Sequence, residues 1–330
     1  LTATAADGTG NAGIGSSGGQ TAGAITIHGG KVTAAGGSRS EQEPANPPED
    51  PFPIDKVYTG AGIGGGEKSA CSMITINGGI VTANPGQGSD FWEKSNSAAI
   101  GNGGQNRMDL WYDETPVGTI VINGGSVNAT GVWWGAGIGG GDEMPIASIT
   151  INGGIVRAES DSSAGIGNGG AGDGGTITIT GGTINAVSES ACGIGGGYIS
   201  DIEKVVITGG DITATSDRGA GIGSCAYQTT AQVTISGGMV TATSNQGDGI
   251  GMGDIFRDDL VDFSTGTNGD AVIFASSIAD QTGKDSWSGL IFEGNDGKIY
   301  GTGYTVDEDL TIPADKILTI EHGDTLTVTS

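Results

Sequence analysis

An isoleucine followed by glycine recurs along this chain at Ile14, Ile63, Ile100, Ile138, Ile166, Ile194, Ile222 and Ile250, and the last four intervals are each 28 residues. In each of the first seven units a second apolar pulse follows, as in "MITINGG", "SITINGG" and "VTISGG". A third comes seven residues later, as in "IVTA", "IVRA" and "MVTA". Each pulse alternates apolar and polar positions over three or four residues, with Ile, Val and Thr prominent, which is the period of a β-strand. Three short strands per 28 residues predict one rung of a parallel β-helix, because a propeller blade needs four strands and roughly 40 residues. In "ITI" the isoleucines are expected to point inward and the threonine outward; in "VTA" valine and alanine point inward. The expected class is therefore all-β: a right-handed parallel β-helix of about eight rungs.

The paired glycines after the second strand are expected to turn the corner with positive φ, where a Cβ is unwelcome. Asn77, Asn123 and Asn152 share the position before that pair, continued by Thr180, Thr208 and Ser236, and His28 occupies it in the first rung. Stacked in register they predict a side-chain ladder that satisfies turn backbone. An outward threonine column suggests an ice-binding face, but Val121 and Val206 interrupt it.

The 28-residue rule breaks early in the chain. Inserts fall at 36–59, 84–97 and 104–118, and a further residue enters near "GVWW". Insertions at solenoid corners map to one or two edges, where such scaffolds place function. The chain divides on this reading into a β-helix over 1–254 and a C-terminal β module over 255–330 that continues the solenoid. There "GLIFEGNDGKIYG" predicts a hairpin turning at "NDG", and Leu310, Leu318 and Leu326 repeat every eight residues. With no signal peptide and a start in mid-pattern, the sequence reads as a mature or excised part of a larger surface protein.

Composition narrows the function. Glycine supplies 67 of 330 residues and aromatics only 5%, fitting a narrow Ile/Val/Ala core. A net charge of −25 repels nucleic acid and anionic membrane and favours solubility outside the cell. No run of 18 apolar residues predicts a membrane span. Cys71, Cys192 and Cys225 are odd in number and scattered, so they read as small-residue filling rather than a disulfide framework. Two histidines, His28 and His322, leave little material for a catalytic triad or a zinc cage.

The "AGIGGG…ITINGG.VTA" units resemble the glycine-rich right-handed β-helix repeats of secreted or wall-attached bacterial surface proteins, within the carbohydrate-binding and pectate-lyase-like superfamily. The closing "AVIFASSI…GLIFEG..GKIYG…LTIPADKILTIEHGDTLTV" is similar to tails of the same proteins. The resemblance implies an extracellular location and polysaccharide handling, and carries over no catalytic residues.

Three constellations are candidates for chemistry. Four of the five tryptophans, Trp92, Trp111, Trp133 and Trp134, lie in or beside the inserts with Tyr112. Asp109, Asp113 and Glu114 are interleaved with them. Rings that stack on pyranose faces and acids that bond sugar hydroxyls make a glycan-binding patch; the alternative is a satellite core that holds the inserts down. Glu67 and Asp142 share a column two rungs apart with Gly104 between, roughly 9–10 Å at about 4.8 Å per rung. Inverting glycosidases separate their carboxyls by roughly 6.5–9.5 Å, so a hydrolytic pair is admissible, with Glu143 a further candidate. Asp161, Glu189 and Asp217 form an acidic column that suits calcium, or else a solvated edge. The leading expectation is a monomeric extracellular module that binds a polysaccharide or glycan, needing no cofactor, with calcium optional. The alternatives are a glycoside hydrolase or polysaccharide lyase on the same edge, and a structural adhesin stalk.

Overall fold

The computed structural model describes residues 1–42, 55–88, 95–105, 117–225, 231–254, 261–267, 269–306 and 309–329. The chain winds as a right-handed parallel β-helix with three sides. One side is an eight-stranded sheet made of the isoleucine–glycine pairs, Ile14–Gly15 through Ile250–Met252, in unbroken parallel register. The second and third pulses form the other two sides, joined in an 18-stranded sheet. There Ile74 pairs with Ile120 and Ile149 with Ile177; Val81 pairs with Val127 and Val156 with Ile184.

Strict register stacks like on like. Ile76, Ile122, Ile151, Ile179, Ile207 and Ile235 form one wholly buried column, and Ala83 through Ala242 form another in which small volume keeps two sides close. Each buried isoleucine contributes about 1.5–3 kcal/mol, so the narrow core depends on repetition rather than on large residues. Of each glycine pair only the second has the expected positive φ, as at Gly154 with φ 96° and Gly182 with φ 100°. Beside them runs the ladder. Asn123 Nδ2 donates to Asn77 Oδ1 at 2.8 Å, Asn152 Nδ2 to Asn123 Oδ1 at 2.8 Å, and Thr180 Oγ1 to Asn152 Oδ1 at 3.0 Å; Asn77 meets the His28 ring at 3.3 Å.

Beyond the eighth isoleucine the solenoid continues. Val272–Ala275 adds in parallel to the third side and Gly289–Glu293 adds to it in turn. Gly289–Glu293 and Asp296–Tyr300 form the antiparallel hairpin, but its turn lies one residue earlier than "NDG". Glu293 pairs with Asp296, so the bend is Gly294–Asn295, with Gly294 supplying φ 59°. Leu310, Leu318 and Leu326 pack against the cluster around Phe292. No helix among the described residues is long and apolar enough to cross a membrane.

The two-residue isoleucine–glycine side is so short that its flanking corners meet. Ala136 N donates to Gly140 O at 3.0 Å and Cys192 N to Gly196 O at 3.2 Å, closing each rung into a tight bend. The chain arriving at that bend and the chain leaving it therefore form a single edge. An attachment point of each insert lies on it. Thr59 Oγ1 bonds Ser97 Oγ at 3.0 Å, Ser97 Oγ accepts from Gly104 N at 2.9 Å, and Trp134 N donates to Ser95 O at 3.2 Å. The described part of the first insert is an antiparallel ribbon, Ser38–Gln42 with Asp55–Thr59.

Candidate functional site

Trp92, Asp109, Trp111, Tyr112, Asp113 and Glu114 lie outside the described residues. Trp133 and Trp134 are described and half-buried on the insert edge. Their rings meet edge-on at 5.8 Å, and Trp134 lies 5.0 Å from Tyr198 two rungs on. Trp133 has φ 61°, a left-handed conformation that bulky residues rarely adopt and that persists only where its surroundings hold it. Asp161 holds it: one carboxylate oxygen accepts the Trp133 N–H and also the Ser162 N–H, the latter at 2.9 Å. Trp134 is fixed on both sides, its N–H on Ser95 and its carbonyl accepting from Gly170 N at 2.8 Å. The single extra residue near "GVWW" thus builds a rigid aromatic corner.

Farther along the edge Arg218 and Asp254 form an ion pair at 3.4 Å and line a small hollow with Ser190 and Tyr198. Sequence inspection missed Tyr198, Arg218 and Asp254. The available signal was positional: Trp134 and Arg218 lie four residues before their isoleucines, Asp142, Tyr198 and Asp254 four after theirs. Those two columns are the ones the bend brings together.

The carboxylate candidates are placed differently from the hydrolytic geometry. Glu67 and Asp142 do stack in one column with Gly104 between, since Lys68 N bonds Gly104 O and Gln105 N bonds Asp142 O, each at 2.9 Å. Gly104 leaves no space between them. A Cβ there would stand 1.8 Å from the Asn96 carbonyl oxygen, because the returning chain fills the gap and accepts the Asp142 N–H at 2.7 Å. Asp142 is only 1% exposed. Both Glu67 oxygens are engaged by Arg39, through Nε and an amino nitrogen at 2.5 Å each, and the side chain packs against Gly10 and Gly18 of the preceding rung. The same carboxylate raises the Arg39 pKa. Arg39 also caps the Tyr58 ring at 4.5 Å, with Lys68 at 4.7 Å, and Tyr58 is buried. Glu67 thus anchors the first insert's ribbon. Glu143, half-buried at φ 54°, is held by its N–H on Gly170 O at 2.7 Å. We expect Arg39→Ala to lose about 2 kcal/mol by leaving a largely buried carboxylate uncompensated, and Glu67→Gln in the same chain to recover part of it. A double-mutant cycle in denaturant measures this.

The acidic column is real as backbone: Ser190 N bonds Asp161 O, Arg218 N bonds Glu189 O and Gln246 N bonds Asp217 O, at 2.9–3.0 Å. Its carboxylates do not converge. Asp161 turns into the Trp133 corner, Glu189 is exposed, and Asp217 accepts from Asn245 and Gln246 at 2.9 and 3.1 Å. Among the described residues no three His, Cys, Asp or Glu side chains are grouped to hold a metal ion.

A second concavity lies in the C-terminal module, a cleft of about 810 Å³ between Ser264, Thr265, Gly269 and Asp270 on one side and Tyr300–Thr305 on the other. Its walls carry Trp287, Tyr300 and Tyr304 among hydroxyls and the carboxylates of Asp270 and Asp285. Trp287 itself is buried against Phe263, with ring centroids 5.0 Å apart.

A family model described as Beta helix repeat matches residues 25–67, 74–104, 120–142, 149–170, 177–198, 205–226 and 233–254. The chain belongs to the beta helix repeat family. The first two matched stretches span the inserts at 36–59 and 84–97, and the aromatic corner at Trp133 and Trp134 lies within the third. No curated protein and no solved structure matches the chain.

Proposed function

We propose that this beta helix repeat protein is an extracellular glycan-binding module, of the secreted or wall-attached kind, that recognises a polysaccharide along its insert edge. The observation that carries the reading is the half-exposed run Trp133–Trp134–Tyr198, with Trp133 fixed in a strained backbone by Asp161. Rigid rings in a row supply stacking faces at little entropic cost. The Arg218–Asp254 pair and Ser190 beyond them offer donors and acceptors to sugar hydroxyls, and the net charge of −25 selects neutral over anionic chains. Binding rather than hydrolysis is favoured by the engagement of Glu67 with Arg39 and the burial of Asp142.

A glycan array followed by titration of the hits tests this. The double variant Trp133→Ala/Trp134→Ala should weaken binding about tenfold or more, a loss of at least about 1.4 kcal/mol. Its unfolding midpoint should move by less than about 3 °C. Binding unchanged in that variant but lost in Tyr304→Ala would move recognition to the C-terminal cleft. A glycan shortened after incubation would reverse the choice of binding over cleavage.

A further inference from the structure

Cysteine is rare in this chain, yet two of its three cysteines meet. Cys192 Sγ and Cys225 Sγ lie 2.7 Å apart, inside van der Waals contact and not far beyond the ~2.05 Å of a disulfide. They share a small buried apolar cluster with Ala191 and Ala220. Both positions depart from their columns. Cys192 stands two residues before Ile194, where Ala98, Ala136, Ala164 and Ala220 occur in other rungs. Cys225 stands three after Ile222, where Gly103, Gly141, Gly169, Gly197 and Gly253 occur. That glycine column is tight: a Cβ at Gly197 would meet Gly169 O at 1.9 Å, and at Gly169 it would meet Gly141 O at 2.3 Å. A side chain introduced there is a costly departure, and this one is aimed at the other departure. The bend that joins the two corners of each rung brings the columns together.

We propose that Cys192 and Cys225 form a disulfide that staples rung 6 to rung 7 when the protein meets an oxidising compartment. The oxidant is a disulfide of a small thiol or of a donor protein. The Cys225 thiolate, at the rim of the hollow lined by Tyr198 and Arg218, attacks that disulfide and releases one thiol. The Cys192 thiolate then attacks the Cys225 sulfur of the mixed disulfide and releases the second thiol. Two protein thiols and one disulfide become one protein disulfide and two thiols, with both protons carried off on the leaving sulfurs. Burial pushes the Cys192 thiol well above its ordinary range, and Cys71 up to about 12, so exchange is fastest before the rungs close. The staple closes a loop with a sequence separation of 33 residues beside the aromatic edge. It holds the rungs that carry Tyr198 and Arg218 in fixed register.

The test refolds the full chain from the reduced, denatured state in a glutathione redox couple, then blocks free thiols with iodoacetamide in denaturant. Intact mass should show a single alkylated cysteine, and peptide mapping should place it at Cys71 with a Cys192–Cys225 cross-link. Dithiothreitol should lower the unfolding midpoint by about 5 °C or more. Cys192→Ala and Cys225→Gly restore the residues of the neighbouring rungs, so both should fold, lack the cross-link and show no midpoint change with dithiothreitol. Three alkylated cysteines after oxidative refolding, or a cross-link that includes Cys71, overturns the proposal.

Discussion

Gly139→Val should abolish the single cooperative unfolding transition of the β-helix. Gly139 sits at φ 139°, which a β-branched residue does not tolerate, and a Cβ there would lie 1.8 Å from Gly167 O of the next rung. That oxygen belongs to the backbone, so relief requires the rungs themselves to part. The loss should exceed about 4 kcal/mol, beyond the ordinary range for single substitutions. Because each rung touches only its neighbours, the break should divide the solenoid into two units that unfold separately in denaturant. Gly29→Ala is the control: nothing lies within 4 Å of a Cβ there, and the change should stay within about 0.5 kcal/mol. One unaltered transition in Gly139→Val would contradict the close stacking on which this reading rests.

The second large effect is expected at Asn168. Its side chain is wholly buried, with Oδ1 accepting from Ile146 N at 3.0 Å and Nδ2 donating to Gly174 O at 2.9 Å and Asp201 O at 2.7 Å. Asn102 does the same lower in the stack, accepting from Cys71 N and donating to Val117, Met144 and Pro145 carbonyls. Asn168→Ala strips a partner from three backbone groups, two buried and one half-buried, and should lose about 4 kcal/mol, at about 1–3 kcal/mol for each group left unsatisfied. Asn168→Asp should be worse at neutral pH, because a carboxylate would face two carbonyls. Its folded pKa would then be raised above the unfolded value, so the folded state holds the proton more tightly. The stability of that variant should therefore rise as pH falls and be lost as pH rises. Urea titrations of both variants at pH 4 and pH 7, about 4 and 7 being the ends of the relevant window, read the sign directly.

Much of the fold was legible because a solenoid writes its structure into the spacing of like residues. The isoleucines from Ile138 to Ile250 at 28-residue intervals, the inward Ile-x-Ile and Val-x-Ala pulses and the turn asparagines all stack on themselves. Reading one column therefore predicts its contacts. The ladder from His28 to Thr180 and the positive φ at the second glycine of each pair followed from that alone.

The site was less legible, because its contacts join different columns across the bend. Asp161 was placed in an acidic column suited to a cation, whereas its carboxylate is committed to the Trp133 and Ser162 backbone. Glu67 and Asp142 were rightly put in one column, but the space between them belongs to Asn96 and the first of them to Arg39 from the insert. Tyr58, an aromatic of the first insert, is buried beneath two cations rather than presented on the edge.

By itself, then, the order of residues determined the rung, its three strands, its register and the identity of the core, since each of these repeats along a single line of the solenoid. Only the tertiary structure decided which two lines face each other across the isoleucine–glycine bend. That meeting sets Trp134 beside Tyr198, Arg218 beside Asp254 and Cys192 against Cys225. It also explains why asparagine and glycine alternate from Gly65 through Asn102, Gly140 and Asn168 to Gly196, each buried amide being flanked by rungs that carry no side chain at that position. The reason is geometric: a repeat fixes what lies above and below a residue, while what lies across from it depends on how tightly the chain turns.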